Sequence, residues 1–359
     1  MDIAKVAAGS WVFPSCQYKP AFMDQKPEKG VPVSIELLST YPPDTLYSNN
    51  VHILVRNAVI STEIMNKVLT IFMCHLMFSN PTIILSRLIN MEMFNDSENG
   101  DLFLVEVLIK FESNPQEELL ISEFVVLGHK DVPPSLLCHS ADMKMQKDTF
   151  VHFLVTHRNF PQMIREFVQN MERVYDESGD ENFGIIIVNY VTPLINVLTL
   201  LRQSRLKHWS VIDFQGPWEK TAAINIGIDS VKDPNDIIFI TDLSIYYPSH
   251  LPETIRKHTF QGFSGFAPVI FYFSCHFNLL VDYYGTYSIY GYGLFSLYKS
   301  DWEVVGGMDS TRFKGKWGWE DNDLTDRVLT YGYALFRLVI RDFYHQNHTY
   351  SGLWDINST

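Results

Sequence analysis

Four carboxylates crowd the stretch 317-WGWEDNDLTDRVL-329: Glu320, Asp321, Asp323 and Asp326. Trp317 and Trp319 flank Gly318 just before them, and Leu324, Val328 and Leu329 follow at helical spacing. Aromatic surface beside paired carboxylates suits a sugar or a base held next to a general base. The same acids equally suit the first turn of a helix, where negative charge is favoured. Two further places carry donors for a metal. Asp242 stands just past the apolar run 237-IIFI-240, with Ser244 two positions on. Asp-x-Asp there would hold Mn²⁺ or Mg²⁺ against a diphosphate; a single Asp serves a turn as readily. His345 and His348 lie three apart in 343-FYHQNHTYSGLW-354. On a helix both imidazoles would face one ion, but HxxH alone is a weak signal. Gly306-Gly307 suits a tight turn, either at the surface or bringing backbone close to a ligand.

Two regions must position these groups. Residues 1–147 form a smaller β-rich region with strand-like runs at 32–39, 51–60, 101–111 and 118–127, and a helical or mixed segment at 62–78. The Pro-Pro-containing stretch 128–148 reads as a linker. From about residue 148 to 359 strands alternate with helices: strands near 149–158, 183–190 and 209–214 and at the opening of 236–247, helices at 161–175, 193–204 and 218–231. This is an α/β pattern with a largely parallel sheet. Ligands bind such sheets past the carboxyl ends of the strands, which puts His157, Arg158, Asp213, Phe214, Asp242 and Ser244 at one rim.

The bulk composition excludes several classes. Of 359 residues, 46% are hydrophobic and 19% charged, a globular balance rather than a disordered one. A net charge of −13 argues against a nucleic-acid partner, which needs a basic face. Cys16, Cys74, Cys138 and Cys275 form no CxxC pair, so a zinc ribbon is excluded, and their spacing fits either redox compartment. Sequons at Asn95, Asn347 and Asn357 point weakly to a secretory route. No signal peptide or membrane anchor is expected from the first residues, and 263–281 reads as buried strand and loop rather than a membrane segment.

The run from Gly291 to Trp354 resembles the chondroitin N-acetylgalactosaminyltransferase-like family within the β-1,4-galactosyltransferase superfamily. It is most similar to the β-1,4-N-acetylgalactosaminyltransferases acting on glycoprotein N-acetylglucosamine. The run shares with them G-x-G-L-F-x-x-Y-K-S-D, V-G-G-M, a W-G-x-E-D element, D-R-V-L and F-Y-H-x-x-H, in that order. His345 and His348 stand 24 and 27 residues after Asp321. The likeness covers about residues 149–359; residues 1–147 carry no family motif. It implies a GT-A glycosyltransferase fold and inverting, Mn²⁺-dependent transfer of GalNAc or Gal. The donor would be UDP-GalNAc or UDP-Gal, the acceptor the 4-hydroxyl of a β-linked N-acetylglucosamine, and the setting the Golgi lumen. Asp321 matches the general base and Glu320 the acceptor-binding carboxylate. Trp317 matches the residue packing on sugar and diphosphate, Arg158 and Lys220 basic groups near the nucleotide and diphosphate, and His345 and His348, with Asp242, the metal ligands.

Three positions depart from that pattern. Ser244 stands where relatives place a metal-binding Asp or His. Trp319 replaces the second Gly of W-G-G-E-D, so if that position takes a positive φ, strain is expected here. Tyr290 matches the residue that narrows the donor pocket toward UDP-Gal, while the family context favours UDP-GalNAc. Two other readings stand beside the transferase. One is a catalytically silent, glycosyltransferase-like binding protein; the other is a metal-dependent hydrolase using His345, His348 and Asp242.

Overall fold

The computed structural model describes residues 13–19, 35, 37–42, 57–96, 98–130, 132–133, 135–140, 143–191, 193–273, 285–316 and 318–346. They fall into two compact units. The first takes in the described residues up to Met145 except Ile35; the second takes in Ile35 and the described residues from Gln146 onward.

The first unit is a six-stranded sheet with one helix. Its elements are β1 (Ser15–Cys16), β2 (Ser39–Tyr41), α1 (Thr62–Ser79), β3 (Ile83–Phe94), β4 (Asp101–Phe111), β5 (Asn114–Leu127) and β6 (Leu137–Ser140), in sheet order β1-β6-β5-β4-β3-β2. Ser61 caps α1, its Oγ accepting from the Ile64 N–H at 3.2 Å. The helix buries Met65, Val68, Phe72 and Leu76 in one cluster with Phe103, Val105, Val107 and Ile109, alternate residues of β4. A disulfide between Cys16 and Cys138 ties β1 to β6, and Cys74 is free and exposed. The runs 101–111 and 118–127 and the helix are where the sequence puts them; 32–39 and 51–60 lie largely outside the described residues. The sequence pattern misses β3. Two register shifts, between Leu85 and Arg87 and between Leu88 and Asn90, break its alternation, so no period of two is visible.

The second unit alternates strand and helix as expected: β7 (Val151–His157), α2 (Pro161–Ser178), β8 (Phe183–Tyr190), α3 (Val197–Arg202), β9 (Trp209–Phe214), α4 (Lys220–Ser230), β10 (Ile237–Ile240). There follow β11 (Ile245–Tyr246), α5 (Leu251–His258), β12 (Ser264–Phe266), β13 (Val269–Phe273), β14 (Gly285–Tyr287), β15 (Phe295–Tyr298), α6 (Lys299–Val305), α7 (Glu320–Thr330), β16 (Ala334–Phe336) and β17 (Val339–His345). The main sheet has order β16-β12-β15-β10-β7-β8-β9, and every neighbouring pair is parallel except those made by β15. The sheet is therefore mixed and mostly parallel, with β15 alone reversed. All eight residues of β8 are buried, which explains its unbroken apolar run. Pro161 opens α2, Gly179 closes it in the left-handed conformation, and Ile164, Phe167, Val168, Met171 and Val174 face the core. Gly227 lets α4 lie close on β7: a Cβ there would come 2.2 Å from Leu154 Cδ1.

The apolar strand that opens 236–247 is β10, which stops at Ile240; Ile245–Tyr246 then joins a separate sheet, β11-β17-β13-β14. Asp242 accounts for the break, its Oδ1 accepting from the Leu243 N–H at 2.7 Å as the chain turns. The helix expected over 193–204 shortens to Val197–Arg202 because Asn196 caps it, accepting from Thr199 N at 2.8 Å.

Candidate functional site

The carboxyl ends of β7, β8 and β9 carry one hydrogen-bonded chain. His157 Nδ1 meets Asn189 Oδ1 at 2.8 Å, and Asn189 Nδ2 donates to Asp213 Oδ1 at 2.7 Å. His157 is buried, and its Nε2 has no hydrogen-bond partner among the described residues. Burial holds its imidazole below the ordinary histidine range, against hydrogen bonds from Asn189 and the Phe160 backbone. Arg158 follows directly, close enough to Tyr190 to act on its hydroxyl. The rim that the strand order predicts therefore exists.

Asp242, exposed, continues the same rim past β10. Ser244 is buried, and its Oγ lies 2.9 Å from His345 Nε2. The antiparallel pairing of β11 with β17 brings them together, with Ile245 opposite His345. His345 is not on a helix: it ends a strand and stacks on Tyr272 at 4.9 Å. The strand reaches it through a bulge, in which the step Val269 to Phe271 faces the step Val339 to Tyr344 and Asp342 takes a φ of 58°. His348 and Trp317 lie outside the described residues. The donor types fit a divalent ion. The 2.9 Å between Ser244 Oγ and His345 Nε2 is a hydrogen-bond distance. The hydroxyl brings no charge, so the set is weaker than one with a second carboxylate. Among the described residues the only tight trio of metal-ligating side chains is Cys16, His129 and Cys138 in the first unit, where the two sulfurs are bonded to each other.

The carboxylates of the opening stretch begin α7. Glu320, Asp321 and Asp323 occupy its first turn, so capping by acid is real. Yet Glu320 is buried, its Oε1 3.6 Å from Lys220 Nζ, and its Oε2 has no hydrogen-bond partner among the described residues. Asp321 Oδ2 accepts from the Tyr292 N–H at 3.4 Å, and Oδ1 from the Asn322 N–H at 2.9 Å. Lys220, Tyr292, Gly293, Glu320 and Asp321 line one cleft, whose apolar wall includes Ile224, Phe295 and Met308. Asp323 is tied down elsewhere, to Arg312 and Arg327.

Trp319 takes φ 71°, ψ −1°, the left-handed conformation expected to strain a residue larger than Gly, and it is 60% exposed. Gly306 (φ 80°) and Gly307 (φ 63°) form the anticipated turn after α6. Asn225 holds that turn, donating to Met308 O and accepting from Met308 N, each at 2.8 Å. Tyr290 is 59% exposed, in the turn that leads to Tyr292. Sequence reasoning missed Asn189, Asn225, Tyr292 and Arg337. For the first three no signal beyond residue type was available, because backbone geometry gives them their partners.

The family described as chondroitin N-acetylgalactosaminyltransferase matches residues 20–351. A mouse protein named N-acetyl-beta-glucosaminyl-glycoprotein 4-beta-N-acetylgalactosaminyltransferase 1 is 33% identical over 295 residues, covering 76% of this chain and 28% of its own. Human chondroitin sulfate N-acetylgalactosaminyltransferase 1 is 23% identical over 225 residues, covering 56% of this chain and 41% of its own. The chain thus spans less than half the length of each. Similar solved structures include a Drosophila β-1,4-galactosyltransferase 7 mutant with manganese, UDP-Gal and xylobiose (16% identity, TM-score 0.34, 56% of this chain and 71% of that one). A Pyrobaculum calidifontis mannosyltransferase with GDP-Man and Mn²⁺ is another (12%, TM-score 0.43, 56% and 58%).

Proposed function

The chain belongs to the chondroitin N-acetylgalactosaminyltransferase family, and from that premise we propose that it is an inverting GT-A glycosyltransferase. It moves GalNAc from UDP-GalNAc to the 4-hydroxyl of a β-linked N-acetylglucosamine acceptor. The observation that carries this reading is the placement of Asp321. Its carboxylate sits at a helix N-terminus, receives the Tyr292 N–H, and lines a cleft with the Lys220–Glu320 pair.

The chemistry follows from one displacement. The acceptor 4-hydroxyl oxygen attacks the anomeric carbon and forms the new glycosidic bond. The bond from that carbon to the diphosphate oxygen breaks, and its electron pair leaves with UDP. Asp321 takes the hydroxyl proton as attack proceeds. A single displacement inverts the carbon and needs no nucleophilic carboxylate. Glu320, held by Lys220, orients the acceptor, and the His157–Asn189–Asp213 rim with Arg158 takes the nucleotide. Asp242, Ser244, His345 and His348 would hold the divalent ion, which offsets charge on the departing diphosphate when bound. A Golgi luminal setting agrees with the Cys16–Cys138 disulfide, since such bonds persist in oxidising compartments. Among the described residues no helix is long and apolar enough to cross a membrane.

The test is transfer from UDP-GalNAc, with UDP-Gal in parallel, to a β-linked N-acetylglucosamine acceptor, with Mn²⁺ and with chelator. The expected outcome is product that chelator abolishes, with UDP-GalNAc the better donor, and a loss of roughly 1,000-fold in Asp321→Asn with folding retained. A preference for UDP-Gal would instead assign Tyr290 the narrowing role. No product from folded protein would favour the silent binding protein, which the hydroxyl of Ser244 in a ligand position and Trp319 in place of Gly motivate.

A further inference from the structure

Arg337 lies between β16 and β17 with its side chain wholly buried. An isolated charge in such a place is strongly disfavoured unless something compensates it. No carboxylate among the described residues forms an ion pair with it, and its Nε and Nη1 have no hydrogen-bond partner there. Burial pushes the guanidinium below the ordinary arginine range, and Tyr292 and Asp321 push it back up. What the side chain does touch is one turn. Nη2 donates to Ser288 O at 3.4 Å and Gly291 O at 3.2 Å, and the guanidinium lies 4.1 Å over the Tyr292 ring. That turn is tight: the Gly291 N–H bonds Ser288 O at 3.2 Å, and a Cβ on Gly291 would come 2.5 Å from Ser288 Oγ. The next peptide presents the Tyr292 N–H to Asp321 Oδ2.

We infer that Arg337 is a positioning residue for the transfer proposed above. It fixes the 288–292 turn that aims the Tyr292 N–H at Asp321, and it is a buried positive charge within electrostatic reach of that carboxylate, with no ion-pair partner among the described residues. The inference rests on the transferase reading. The other groups around Asp321 are already engaged: Lys220 with Glu320, and Asp323 with Arg312 and Arg327, while Tyr292 presents its backbone. Replacing Arg337 therefore removes a charge and an anchor that no neighbour supplies.

The test compares Arg337→Lys and Arg337→Met with wild type over a range of pH, with folding followed by thermal melts. Arg337→Lys keeps the charge and loses the fork to two carbonyls. Its kcat falls about tenfold, with both KM values within about twofold and the acid limb of the rate profile unmoved. Arg337→Met loses both, so kcat falls on the order of 100-fold and the acid limb moves up by about one pH unit. A folded Arg337→Met with wild-type kcat and an unmoved acid limb overturns the inference. If Arg337→Met does not fold, Arg337→Lys decides it, and wild-type kcat in that variant overturns the inference. Absence of product from the wild type defeats the transferase reading and this one with it, whereas product from the wild type with unaltered variants defeats this one alone.

Discussion

The two sides of the site are built differently. On the carboxylate side, Asp321 and Glu320 are each held by a defined partner, and a buried arginine braces the turn behind them. On the strand-end side, charge is thin. Asp242 is exposed, Ser244 offers a neutral hydroxyl to His345, and the His157–Asn189–Asp213 chain is bridged by an amide. Aiming a base needs fixed geometry, which backbone and packing provide. Holding a leaving group needs charge, which an ion and the substrate's own counter-ions bring when they bind.

Three substitutions sharpen or break that contrast. The largest effect is expected from Ser244→Asp. A second carboxylate next to His345 should lower the Mn²⁺ concentration for half-maximal transfer by roughly tenfold or more, read by metal titration. An unchanged titration would mean that the ion, if used, is held elsewhere. Next is Trp319→Gly. Relief of the left-handed strain should stabilise the fold by about 1 kcal/mol, offset in part by the added chain entropy of Gly. Calorimetry would register that as a melting temperature raised by about 2–4 °C. A lower melting temperature would show that the indole packs in a way its 60% exposure does not suggest.

The smallest effect concerns His157. Its folded-state pKa is depressed by burial, so below its ordinary value of 6.5 the unfolded chain binds more protons than the folded one. Stability from this group is therefore fully present above pH 6.5 and is lost as pH falls below it. Melting temperatures of wild type and His157→Gln should converge in slope above pH 6.5 and diverge below it, the variant being flatter. Equal slopes throughout would remove His157 as the titrating group.

The sequence alone carried the alternation of elements from residue 149, because buried parallel strands and amphipathic helices write different periods into a chain. It also carried the acidic helix start at Glu320 and the Gly306-Gly307 turn, since those are local demands of the backbone, whereas the positive φ at Trp319 was only a condition raised by the family resemblance. It missed β3, whose irregular register hides its period, and it left open the element that carries His345, which is a strand. An arginine inside 334-ALFRLVI-340 was a visible oddity, but its meaning was not. Only the tertiary structure decided which groups meet. Ser244 reaches His345 through strand pairing, Lys220 reaches Glu320 across two helix starts, and Arg337 reaches the turn before Asp321. Those contacts join residues scores of positions apart, and local periodicity holds no information about such distances. It is packing that sets them.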